Sequence, residues 1–82
     1  LTGVQYQVET FPDGEAALAR VKEAPPHVMI SDIRMPGMSG IDLLRNVKAL
    51  SSDIQFVIMT SHASLETALE AIRLGAYDYI HK

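Results

Sequence analysis

Along residues 4–10 the order V-Q-Y-Q-V-E-T alternates, placing Val4, Tyr6, Val8 and Thr10 on one face and Gln5, Gln7 and Glu9 on the other. A period of two is that of a half-buried strand, here at a sheet edge. Phe11-Pro12-Asp13-Gly14 closes it, and Asp13 stands where it caps a helix whose apolar stripe is Ala16, Ala17, Leu18 and Val21. Pro25 and Pro26 stop that helix, because proline lacks an N–H and forces the residue before it out of helical geometry.

Residues 27–31 (H-V-M-I-S) form a compact apolar run, as a central parallel strand does, and the run ends on Asp32. After a loop of Pro, Gly and Met, Ser39 and Asp42 resemble a capping box, and Ile41, Leu43, Leu44, Val47 and Leu50 line a second helix. Residues 54–59 (I-Q-F-V-I-M) give a third strand that ends on Thr60. Ser64 caps a third helix with Glu66 in its first turn, Leu65, Ala68, Leu69 and Ile72 as its buried stripe, and Gly75 as its stop. Residues 77–80 supply a short fourth strand, with Lys82 just beyond it. Strands and helices that alternate in this way predict an α/β fold with a parallel sheet and crossover helices, in one domain over 1–82.

Composition narrows the function classes. The 82 residues include no cysteine, which removes disulfide frameworks and thiolate chemistry, and no apolar run approaches the length of a membrane span. Ten acidic and seven basic residues give a net charge of −3, and the basic residues are scattered, so no nucleic-acid footprint appears. No export signal opens the chain; the expectation is a cytoplasmic protein without membrane contact. His27, His62 and His81 are far apart, which argues against zinc, and Gly37 and Gly40 are not followed by the Lys of a phosphate-cradling loop. Ser31 and Ser61 neighbour the strand ends and read as hydrogen-bonding loop residues rather than nucleophiles.

In an open parallel sheet, ligands bind outside the carboxyl ends of the strands, and Asp32, Thr60 and Lys82 fall at three of those ends. A carboxylate, a hydroxyl and an ammonium at one crevice can act as acceptor, hydrogen-bond donor and counter-charge for a phosphoryl group. Strand ends are commonly polar, so the same residues also fit a loop cap, a backbone partner and a solvent-facing cation.

Three stretches carry a family resemblance: H-V-M-I-S-D-I-R-M-P-G-M-S-G at 27–40, V-I-M-T-S-H-A at 57–63 and G-A-Y-D-Y-I-H-K at 75–82. Together they resemble the receiver domain of bacterial two-component response regulators, most closely the nitrogen-regulatory transcriptional type. The resemblance implies a flavodoxin-like fold and a phosphoacceptor role for Asp32, served by a sensor histidine kinase and Mg2+. It implies that Thr60 hydrogen-bonds the phosphoryl oxygens, that Lys82 neutralises them, and that Tyr79 is a rotameric switch. The backbone carbonyl of Arg34 matches a Mg2+ ligand, and Pro36 and Gly40 match the tight loop after the acceptor. The helix at 64–74 and the last strand match the signalling and dimerisation face, with control of transcription as the implied output.

A whole receiver resembles five strands and five helices in sheet order 2-1-3-4-5, with an acidic Mg2+-binding pair after its first strand. This chain predicts four strands and three helices, without that first strand and its acidic pair and without the last helix. It therefore reads as a partial receiver domain with weak or absent Mg2+ binding. One reading is part of a longer regulator. The alternative is a truncated or degenerate receiver that acts as a phosphorylation-independent interaction module, forming homodimers through the 64–74 face or through exposed sheet edges.

Overall fold

The computed structural model describes residues 9–82. Each of its three helices starts on a side chain that accepts a backbone N–H from the first turn. Asp13 Oδ1 accepts from Ala16 N–H at 2.8 Å to open α1 (Gly14–Glu23). Ser39 Oγ accepts from Asp42 N–H at 3.1 Å for α2 (Gly40–Leu50), and Ser64 Oγ from Thr67 N–H at 3.1 Å for α3 (Leu65–Arg73). Each such cap stabilises its helix by about 1 kcal/mol. The reciprocal half of a capping box forms in α3, where Ser64 N–H donates to Thr67 Oγ1 at 3.3 Å. In α2 the carboxylate of Asp42 instead accepts from Arg45 at 2.8 Å, so the box expected there is only half made. Gly75 stops α3 in the left-handed region at φ 94°, donating to the Ile72 carbonyl at 3.1 Å.

The strands β1 (Val28–Ser31), β2 (Gln55–Thr60) and β3 (Asp78–His81) form a parallel sheet in the order β1-β2-β3. Bounds differ from the sequence reading by a residue or so at β1, β2 and β3. The expected strand at 4–10 lies outside the described residues except for Glu9 and Thr10, which have no regular structure.

Register explains the core. Met29 is level with Phe56, and Ile58 with Tyr79, so these side chains share one face with Thr60. That face packs on Ala17 and Val21 of α1, Leu43, Leu44 and Val47 of α2, and Ala71 of α3. Right-handed crossovers that step in one direction across a sheet put their helices on the same side, as here. The other face holds Val28, Ile30, Val57, Met59 and Ile80, and Ile30 is 65% exposed. Among the described residues, packing onto the helices covers the Met29 side of β1.

The third helix also departs from its expected packing. Leu65 and Ile72 are 77% and 65% exposed and Leu69 is exposed, while Ala71 is fully buried. The small Ala71 side chain lets α3 approach the sheet closely, which turns the larger residues outward. Leu50, expected on the apolar side of α2, is exposed as well.

Candidate functional site

Parallel strands bring their carboxyl ends to one edge of the sheet, so residues fifty positions apart in sequence meet there. Asp32 follows β1 and Lys82 follows β3; Lys82 Nζ lies 3.2 Å from Asp32 Oδ2, across the end of the central strand. Lys82 is held in place by its own N–H, which donates to the Thr60 carbonyl at 2.9 Å. Thr60, the last residue of β2, is the buried polar residue of the described core, and its Oγ1 accepts from His62 N–H at 3.0 Å. With an acceptor position filled by His62, the hydroxyl proton is left for an acceptor at the crevice.

The Asp32 carboxylate is surrounded by donors. Oδ1 accepts from Ile33 N–H at 2.6 Å and from Arg34 N–H at 3.3 Å, while Oδ2 takes the ammonium of Lys82. The Thr60 hydroxyl has the largest influence on its ionisation. Together with Lys82 and the two backbone N–H groups it outweighs partial desolvation and holds the carboxyl down to about 2. A carboxyl depressed below its unfolded value stabilises the fold fully above about pH 4, and this contribution is lost as pH falls through its folded value. Allowing for solvent screening, about 1 kcal/mol is at stake. Urea midpoints at pH 5 and pH 2.5 should therefore separate more for the native protein than for Asp32→Asn; equal separations contradict this.

The loop that follows Asp32 is held at several points. Gly40 N–H donates to the Ile33 carbonyl at 2.8 Å, and Ser31 Oγ donates to the Asp32 carbonyl at 2.8 Å. Glu15 of α1 reaches across to accept Met38 N–H at 3.2 Å, beside Gly37 at φ 74°. Nothing in the sequence marked Glu15 for this task; a glutamate in a first turn reads as a response to the helix dipole.

The five residues singled out from the sequence divide. Asp32, Thr60 and Lys82 converge. Arg34 adjoins them through its N–H. Tyr79 flanks them on β3, with its hydroxyl 2.6 Å from Thr67 Oγ1 on α3.

The donor set does not by itself fit a divalent cation. Mg2+ seeks near-octahedral oxygen ligands, usually with one or two carboxylates plus water. Among the described residues no three His, Cys, Asp or Glu side chains group together, and Asp32 already serves Lys82 and two N–H donors. Calorimetric titration of the 82-residue chain with Mg2+ should give no saturable 1:1 isotherm up to about millimolar concentrations. A tight 1:1 site contradicts this.

Residues 1–82 match the description of the response regulator receiver domain over their whole length. The chain belongs to that family. This receiver chain is 40% identical over 82 residues to the DNA-binding transcriptional regulator NtrC of Salmonella typhimurium, covering all of this chain and 18% of that protein. It is 43% identical over the same length to the transcriptional regulatory protein ZraR of that organism, covering 19% of it. The chain thus spans under a fifth of the curated relatives it matches.

Solved structures agree with the receiver fold. The chemotaxis protein CheY4 of Vibrio cholerae superposes with a TM-score of 0.86 at 34% identity, over 94% of this chain and 66% of that one. The receiver domain of NtrX from Brucella abortus gives 0.83 at 34% identity with the same coverage. A Burkholderia pseudomallei response regulator with a phosphorylated aspartic acid and a calcium ion gives 0.87 at 26% identity, over 94% and 45%. Among the described residues, no helix of the receiver chain is long and apolar enough to cross a membrane.

Proposed function

We propose that Asp32 is the phosphoryl acceptor of this receiver domain and that a sensor histidine kinase supplies the phosphoryl group. A carboxylate oxygen of Asp32 forms the new P–O bond as the P–N bond of a phosphohistidine breaks, and the electron pair returns to the imidazole nitrogen. Lys82 offsets the negative charge on the transferring oxygens, and the Thr60 hydroxyl donates to one of them. The observation that carries this reading is the contact of Lys82 Nζ with Asp32 Oδ2 at 3.2 Å, beside the buried Thr60.

Phosphorylation adds charge and acceptor oxygens next to Thr60, and the response passes to α3 and β3 through packing. Leu65, Leu69 and Ile72 on α3, with Tyr77 before β3, form an exposed apolar surface suited to an output domain or a second receiver. Control of transcription by the whole protein is supported by its similarity to NtrC and ZraR.

The test is to treat the intact regulator with a small phosphodonor and Mg2+, reduce the acyl phosphate, and locate the label by peptide mass. The expected label is a single one, on the peptide that holds Asp32. A label on another carboxylate overturns the proposal.

A further inference from the structure

Tyr79 connects the site to α3 through a single side chain. Its phenol lies 2.6 Å from Thr67 Oγ1, a distance typical of a strong O–H to O bond. The Thr67 hydroxyl is also the far half of the α3 capping box. It accepts from Ser64 N–H at 3.3 Å, lies 2.9 Å from Ser64 Oγ, and is 3.2 Å from the Ser64 carbonyl. One oxygen therefore ties the start of α3 to the strand that precedes Lys82. Tyr79 is also level with Ile58 on β2, two residues before Thr60, so its ring borders the helix side of the site. A hydroxyl has one proton to give and two lone pairs, so the phenol, Ser64 N–H and Ser64 Oγ draw on the same small set of bonding positions. Moving the Tyr79 hydroxyl changes how Thr67 satisfies the first turn of α3.

We infer that Thr67 is the positioning residue that holds Tyr79 in the place it occupies here, so that Tyr79 changes place only when its bond to the α3 capping box is broken. This rests on the reading of Tyr79 as a switch for its consequence in signalling, but not for the bond itself. A neutral hydrogen bond of ordinary strength biases two positions about five-fold. A threonine with a purely capping role would act on the helix and leave Tyr79 alone.

The experiment incorporates 3-fluorotyrosine into the full chain and follows the Tyr79 19F resonance, assigned from Tyr79→Phe, before and after treatment with a small phosphodonor and Mg2+. Thr67→Val keeps the side-chain shape and removes the hydroxyl. In the unphosphorylated protein it should move the Tyr79 resonance, with an about five-fold larger population of the position away from Thr67. Thr67→Ser should restore the native resonance, and Ser64→Ala, which breaks the cap but leaves Thr67 Oγ1 to bond the phenol, should move it much less than Thr67→Val does. The inference is overturned if Thr67→Val leaves the resonance in place, or if Ser64→Ala moves it as far, since the cap alone would then account for the effect. A Thr67→Val chain that fails to fold, while Tyr79→Phe and Ser64→Ala fold normally, also overturns it, because Thr67 would then be structural. If phosphorylation leaves the native resonance unmoved while Thr67→Val moves it, the bond stands and the switch reading of Tyr79 fails.

Discussion

Asp32→Asn should abolish phosphoryl uptake from both a phosphorylated kinase and a small phosphodonor, while the chain keeps its fold. The amide oxygen of asparagine is a poor nucleophile and carries no charge for Lys82 to pair with, so neither the attack nor the electrostatic alignment survives. The substitution is otherwise mild, because the side chain keeps its shape and an oxygen able to accept from Ile33 and Arg34 N–H. Loss of the neighbouring charges should be graded rather than absolute. Removing one preorganised donor from a developing anion typically slows a reaction by about 10²–10³-fold, and Lys82→Ala should fall in that range with Asp32 still labelled. Quantitative mass spectrometry of intact protein over a time course measures both variants. Full uptake by Asp32→Asn would remove Asp32 from the role of acceptor.

The second large effect falls on stability. Gly40 opens α2 directly beneath the acceptor loop, and a β-carbon there would run into the Asp32 carbonyl, with the Asp32 carbonyl carbon at 2.9 Å and Ile33 Cα at 3.0 Å. These are backbone atoms, held by the Gly40 N–H bond to the Ile33 carbonyl and by the parallel ladder behind them, so they cannot rotate aside as a long side chain would. Gly40→Ala must therefore displace either α2 or the strand end that carries Asp32. Overpacking typically costs about 1–3 kcal/mol and occasionally more, and a clash with backbone lies at the upper end of that range, above the at most about 1 kcal/mol by which alanine is favoured over glycine in a helix. Gly37, also in the loop, has a different constraint, since its φ is positive. Urea unfolding monitored by circular dichroism should show Gly40→Ala strongly destabilised; a midpoint equal to the native one would mean that the loop is looser than its geometry indicates.

Much of this was legible in the sequence because strand period, helix caps and strand-end polar residues are local signals. Asp13, Ser39 and Ser64 cap helices as their residue types predict, and parallel topology then brings Asp32, Thr60 and Lys82 together. Which apolar face is covered was less legible. Leu65, Leu69 and Ile72 lie at helical spacing, but spacing shows only that they share a side, not that a neighbour covers it. The covered side of α3 centres on Ala71, whose small volume gives little hydrophobic signal. Glu15 and Thr67 were invisible for another reason: their partners, Met38 and Tyr79, are distant in sequence, and no local pattern links them.

The ion pair between Asp32 and Lys82 joins strands that are not neighbours and residues separated by fifty positions, with β2 between them. No shorter stretch of the chain holds both ends of the site. Contacts of such long span form late, after the cost of closing the intervening chain has been met. On the proposed role of Asp32, an acceptor site that is complete only once all three strands are in register should take up no phosphoryl group in partly folded forms.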